Sequence, residues 1–272
     1  MTLHTMPVTR RQQVSTSPRD RRRHLVSLLV AALLLLPITP LVAWSFAEQW
    51  TFPAIVPQAW GWPEQVWNAG TVAAFATSFV LATFVACVAT MLGAMAGLGL
   101  RRAPRAVSTA ASILLLAAAA APPFALAMGA TVGSLQLGVA GPPAVAMVLV
   151  VLALPYTTFV MRAAFAGYDE SLEEQGRTLG MTSWMVLRWI RIPLLLPSVA
   201  TAALLAFIVG WSDYIVTVLL GGGDLITLPL LIAGAASGTG NEQSLAFLGM
   251  LAIAPPLMMT TLAFGLARRY LR

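Results

Sequence analysis

Residues 68–100 read NAGTVAAFATSFVLATFVACVATMLGAMAGLGL, 33 consecutive positions without a charged side chain. About 20 apolar residues in a helix already cross the hydrocarbon core of a bilayer, so a run of this length belongs in lipid. A second uncharged run, residues 106–161, is 56 positions long and needs a turn, which Gly133, Ser134, Gln136, Gly138, Gly141, Pro142 and Pro143 supply. Outward from these runs, Pro, Gly and Arg breaks divide the chain into six candidate helices, at about 25–46, 68–99, 106–133, 143–166, 194–220 and 244–267. The whole composition agrees: 272 residues, 58% hydrophobic and 10% charged, with a mean hydropathy of +0.82, exclude a water-soluble globule. The expected fold is all-α, a multi-pass membrane protein with six transmembrane helices.

Arginine positions orient these spans, because Lys and Arg of short loops stay on the cytoplasmic side. All 16 basic residues are Arg. Six precede the first span (Arg10, Arg11, Arg19, Arg21, Arg22, Arg23), three lie between spans two and three (Arg101, Arg102, Arg105), four between or at the ends of spans four and five (Arg162, Arg177, Arg188, Arg191), and three at the C-terminus (Arg268, Arg269, Arg272). The other loops carry Glu48, Glu64, Asp224 and Glu242 instead. Both termini are therefore expected in the cytoplasm. The net charge of +6 reflects this sorting, and no nucleic-acid partner is implied. A rival reading takes Arg22-Arg23-His24-Leu25-Val26 as a twin-Arg export signal cleaved near Ser45-Phe46-Ala47. Against it, the apolar stretch is long enough to span, and cleavage leaves an odd number of spans. Residues 1–24 are then a disordered basic tail, 25–65 the first span and an external loop, 66–268 the transmembrane body and 269–272 a cytoplasmic tail. The external loop holds Trp50, Trp60 and Trp62 between Trp44 and Trp67, and either anchors at the headgroup level or docks an external partner.

Catalysis and metal binding have little to work with. Without Lys there is no G-x-x-x-x-G-K-[ST] phosphate loop, so the chain is no ATPase of that class. Its two His, His4 and His24, precede the first span, and its one Cys, Cys87, sits in an apolar run. Neither a metal cluster nor a Ser/His triad is expected, nor any cofactor.

One charged, amphipathic stretch stands out, Tyr168 to Pro197, YDESLEEQGRTLGMTSWMVLRWIRIPLLLP. Ser171 and Glu174 have capping-box spacing, so a short helix is expected from about Leu172. Gly180 would end it and Thr182 or Ser183 start another, which runs to Pro193 and re-enters the membrane. This segment resembles the coupling segment, or EAA motif, of permease subunits of type I ABC importers, whose pattern is E-A-A, a Gly six residues after the Glu, then I-x-L-P. Glu174, Gly180, Ile190 and Pro193 occupy those positions, with Ile192 for the Leu and Gln175 and Gly176 for the two Ala.

The resemblance covers about residues 66–268 and implies a coupling helix that docks on a separate ABC ATPase subunit, with Glu174, Gln175, Gly176, Leu179, Gly180, Ile190 and Pro193 at the coupling surface. It also implies a second permease subunit, similar but distinct, and an external solute-binding protein. ATP and Mg are then used by the ATPase subunit and not by this chain. The Gln175-Gly176 departure is expected to alter the docking surface, and Gly in a helix costs about 0.5–1 kcal/mol relative to Ala.

For the solute path, Asp213 is the one ionisable residue well inside a span, and Gly210, Asp213 and Thr217 share a helical face. Asn68, Thr71 and Ser78 are candidates for the opposite wall, although Ser and Thr also bond their own helix. A pathway carboxylate would favour cations and tolerate Glu better than Asn. Trp211-Ser212-Asp213-Tyr214, Gly221-Gly222-Gly223 and Thr227-Leu228-Pro229 resemble the branch that includes polyamine, phosphonate, iron and thiamine importers. The alternative is a self-sufficient secondary transporter or channel, against which stands the absence of a visible inverted repeat.

Overall fold

The computed structural model describes residues 38–51, 53–238 and 240–270, with positions 26, 29, 30, 32, 33 and 36 ahead of them. The expected basic tail, the twin-Arg reading, most of the first span and the last two residues lie outside the described residues. Of the first span, helix α1 (Ile38–Ser45) is described. A short antiparallel hairpin follows, β1 (Ala47–Gln49) with β2 (Ala59–Trp60), inside the Trp-rich loop.

The body is built on α2 (Ala69–Arg102), α5 (Pro142–Ala166) and α7 (Ser183–Trp211), which pack on one another. With α10 (Glu242–Tyr270), these are the helices long and apolar enough to cross a membrane among the described residues. Their outer faces keep Val80, Phe84, Met95 and Val151 exposed, as lipid or a second subunit requires and water would not allow. Asn68 starts α2 by accepting the Thr71 N–H at 3.0 Å, and the chain leaves the helix before Pro104.

Small residues let α2 and α5 approach closely. A Cβ at Gly93 would overlap the Thr157 side chain, and one at Gly97 would lie 2.9 Å from the Arg162 backbone nitrogen. Since Gly93 faces Thr157 while Gly97 faces Met161 and Arg162, the two helices run in the same direction. The chain between them must therefore return from the Arg-rich end to the opposite end.

It returns in two pieces rather than as one helix over 106–133. Helices α3 (Arg105–Ala120) and α4 (Pro123–Gln136) meet at 104°. Ala121 (ψ 142°) and Pro122 (ψ 127°) are extended, because each precedes a proline whose ring excludes the helical conformation, and the two prolines also remove two amide donors. A Cβ at Gly129 or Gly133 meets nothing within 4 Å, so neither glycine marks a close helix approach here.

The expected span 194–220 also divides. Helix α7 stops at Trp211, and after Ser212-Asp213-Tyr214 a six-residue helix α8 (Ile215–Leu220) begins. Trp211 closes the joint by donating its indole N–H to the Ala252 carbonyl of α10 at 2.8 Å, and its ring stacks on Phe207. Helix α9 (Leu228–Ser237) follows, and its first amide donates to the buried Ser78 hydroxyl of α2 at 2.7 Å. One apolar core joins α2, α5, α7, α8 and α10, and a second cluster of Met161, Phe165, Leu195 and Ala202 lies at the Arg-rich end.

Candidate functional site

At that Arg-rich end the chain leaves α5, forms helix α6 (Ser171–Thr178), turns, and enters α7. Gly180 makes the turn at φ +86°, a left-handed conformation that costs any Cβ-bearing residue about 1–2 kcal/mol. Nothing lies within 4 Å of a Cβ built there, so the requirement for Gly is conformational and not steric. Thr182 then caps α7 by accepting the Met185 N–H at 3.3 Å. The helix, sharp turn and helix expected of this segment are present.

The expected capping box is not. Ser171 lies inside α6, whose N-cap is Glu170 without a side-chain bond, and the Ser171 N–H donates to Asp169 Oδ1 at 2.9 Å. An Asx turn formed by Asp169 has taken over the start, which leaves Glu174 exposed and free of that task. Glu173, not singled out in the sequence, is the buried acid, 7% exposed. Arg191 grips it with Nε on Oε1 at 2.8 Å and Nη2 on Oε2 at 3.0 Å, and the Tyr168 phenol donates to Oε1 at 2.6 Å. Burial pushes the Glu173 carboxyl up, but the Tyr168 and Arg191 hydrogen bonds outweigh it and hold it below its usual value. Burial and the Glu173 carboxylate push Tyr168 up to about 12, so the phenol stays a donor.

A π turn over Leu187–Arg191 sets the angle at which Arg191 meets Glu173. The Ile192 N–H reaches back five residues to the Leu187 carbonyl, next to Pro193, which has no N–H to continue the ordinary ladder. Ile190, in the same turn, faces α6: a Cβ at Gly176 would lie 2.8 Å from Ile190 Cδ1 and 3.1 Å from Met181 Sδ. Gly176 is therefore buried against α7, so of the two departures from Ala it is Gln175 that lies on the outward surface. Glu174, Gln175 and Leu179 do face out, Leu179 with 84% exposure. Pro193 is half-buried behind them. Trp184 and Trp189 are also exposed, with the Arg188 guanidinium 5.8 Å from the Trp189 ring.

The six expected pathway residues lie at or towards the opposite end. Thr71, Ser78, Gly210 and Thr217 are buried between helices. The Thr71 hydroxyl donates to the Val66 carbonyl, and a Cβ at Gly210 would lie 3.0 Å from Ala82 Cα. Asp213 is half-buried and caps α8: Oδ1 accepts the Val216 N–H at 3.2 Å, and Oδ2 accepts the Thr217 N–H and hydroxyl, both at 3.0 Å. Asn68, exposed, borders a cleft of about 400 Å³ that Thr77, Asp224 and Ile226 also line. Among the described residues no three His, Cys, Asp or Glu are grouped to hold a metal ion.

A family profile described as "Binding-protein-dependent transport system inner membrane component" matches residues 89–272. A spermidine/putrescine transport system permease protein of Haemophilus influenzae is 28% identical over 212 residues, which cover 77% of this chain and 82% of that protein. A crystal structure of a bacterial ABC transporter involved in the import of the acidic polysaccharide alginate has a chain similar to this one with a TM-score of 0.66 at 17% identity, over 92% of this chain and 98% of that one. The inward-facing MetNI methionine ABC transporter has a chain with a TM-score of 0.56 at 19% identity, over 74% and 96%. At these identities the structural likeness concerns the fold.

Proposed function

The chain belongs to the family of binding-protein-dependent transport system inner membrane components, and on that premise we propose that the α6–Gly180–α7 elbow is where ATP-driven motion enters it. It is a permease subunit of an ABC importer and a multi-pass protein of the inner membrane, and its family is one of transport permeases, not of enzymes. That membership replaces the secondary-transporter or channel alternative.

In this reading the chain performs no chemistry itself. ATP and Mg are used by ABC ATPase subunits, whose groove receives the outward face of α6, Glu174, Gln175 and Leu179, while Gly176, Gly180, Ile190 and Pro193 hold α6 in position from behind. A second permease subunit supplies the other half of the pathway, and an external binding protein delivers solute. Asn68 and Asp213, the members of the expected pathway set that are not buried, are proposed to face that path. For the solute we propose a polyamine-like cation. The Haemophilus influenzae relative supports it, as do Glu48, Glu64, Asp224 and Glu242 at the expected outer side, where no Arg or Lys offsets them.

The observation that carries the coupling role is Gly180 at φ +86° beside the exposed Leu179 at the Arg-rich end. Replacing Gly180 by Val is expected to leave the membrane body folded but to lower co-purification of the ATPase subunit and abolish solute-stimulated ATP hydrolysis, with Glu174→Ala intermediate. Normal association and stimulation in Gly180→Val would remove the elbow as coupling element. Uptake of labelled spermidine and putrescine, in cells with and without the chain, tests the solute. Equal uptake in both would exclude polyamines.

A further inference from the structure

We propose that Tyr168, Glu173 and Arg191 form a rigid joint that makes α6 and the cytoplasmic end of α7 move as one body. The inference deepens the coupling role proposed above and rests on α6 being the ATPase-facing helix.

An elbow that docks at one arm transmits motion to the other only if it does not bend. Between α6 and α7 the chain has only Leu179 to Thr182, with Gly180 at φ +86°; the Gly180 N–H donates to the Arg177 carbonyl and the Met181 N–H to the Gly176 carbonyl, both at 3.0 Å, which closes the turn on α6 but does not tie it to α7. Contacts of Gly176 with Ile190, Met181 and Val186 press the two helices together, but apolar contacts are non-directional and allow sliding and rotation. The Glu173–Arg191 pair supplies the missing direction. Both carboxylate oxygens are engaged by two different guanidinium nitrogens, and a forked pair of this kind fixes angle as well as distance.

The joint also reaches the preceding span. Tyr168 lies two residues past α5, its ring packs on the Met161, Phe165, Leu195 and Ala202 cluster between α5 and α7, and its hydroxyl ends on Glu173. A displacement of α6 is thereby handed to two membrane helices. None of the three residues is a position of the coupling pattern that Glu174, Gly180, Ile190 and Pro193 match. Arg191 is the last residue of the π turn over Leu187–Arg191, whose hydrogen-bonded loop is one residue longer than that of an ordinary α turn.

The joint is testable by spin labels on Thr178→Cys in α6 and Ser212→Cys just past α7, in a Cys87→Ser background. The 29 residues of α7 span about 43 Å, within range of pulsed dipolar measurement. The wild-type joint should give one narrow distance distribution. Glu173→Gln, close in shape but uncharged, should widen it about twofold, and Tyr168→Phe should widen it less. The exchanged pair Glu173→Arg with Arg191→Glu should restore the narrow distribution, which general destabilisation would not do. A distribution as narrow in Glu173→Gln as in wild type overturns the joint, as does an exchanged pair that stays monodisperse but wide. If the wild-type chain co-purifies with no ATPase subunit while the widths behave as expected, the docking role fails and the joint stands.

Discussion

Asp213 was expected to show its charge to a solute, and the structure gives its oxygens to the first turn of α8. A cap is worth about 1 kcal/mol, and Asn and Ser cap nearly as well as Asp while the longer Glu does not reach the same amides. The two roles predict opposite orders. As a cap, Asp213→Asn, which keeps an acceptor for one of the two amides, should lose less stability than Asp213→Glu and Asp213→Ala, which should lose about 1 kcal/mol. Thermal unfolding in detergent with spermidine uptake in cells checks this. Uptake preserved in Asp213→Glu and lost in a stable Asp213→Asn would restore the carboxylate as a pathway charge. The sequence showed an acid at membrane depth but not the end of α7 at Trp211, and that break lets the same carboxylate cap α8.

Among the elements, α6 shows the same division on a larger scale. Its length, its turn glycine and the following cap were legible from residue types. Which of its two adjacent glutamates is buried was not, because the helix starts from an Asp169 Asx turn with its N-cap at Glu170, one residue before the expected Ser171. Gly176 gives a clean test. The atom nearest its missing Cβ is the far end of the flexible Ile190 side chain, 2.8 Å away, while the helix gains about 1 kcal/mol from Ala. Gly176→Ala should therefore be tolerated, within about 1 kcal/mol of wild type and with normal ATPase co-purification, whereas Gly176→Leu should prise α6 from α7 and lower it. Limited proteolysis of the α6 segment, together with the pull-down, reads both. Equal tolerance of Ala and Leu would mean that α6 does not pack on Ile190 as described.

For the whole molecule, the parallel α2 and α5 require the bent α3–α4 pair to bring the chain back across. Prolines break that crossing without cancelling it, since a neighbouring helix can cover the freed backbone groups. Single cysteines at Ile55 (90% exposed), Leu137 (74% exposed) and Leu179, in a Cys87→Ser background, separate the ends. A membrane-impermeant maleimide should label Ile55→Cys and Leu137→Cys in intact cells, and Leu179→Cys only after permeabilisation. Leu137→Cys protected until permeabilisation would make α3–α4 a re-entrant segment and leave the expected six spans one short. Ser108, near the start of α3, is unsuitable as an inner probe because it is buried.

By itself the sequence determined the solvent, the secondary structure class and the family resemblance of the charged segment, because each follows from one-dimensional quantities: the length of uncharged runs, the spacing of Pro, Gly and Arg breaks, and a glycine six residues after a glutamate. Only the tertiary structure decided which helices break, which acid is buried and which expected pathway residues are packed away. Those outcomes depend on contacts such as Glu173 with Arg191, Ser78 with Leu228 and Trp211 with Ala252, 18, 150 and 41 residues apart. No local pattern encodes such a pairing; it arises when the packing of α2, α5, α7 and α10 brings the partners within hydrogen-bond distance and leaves a buried polar group no alternative but to bond there.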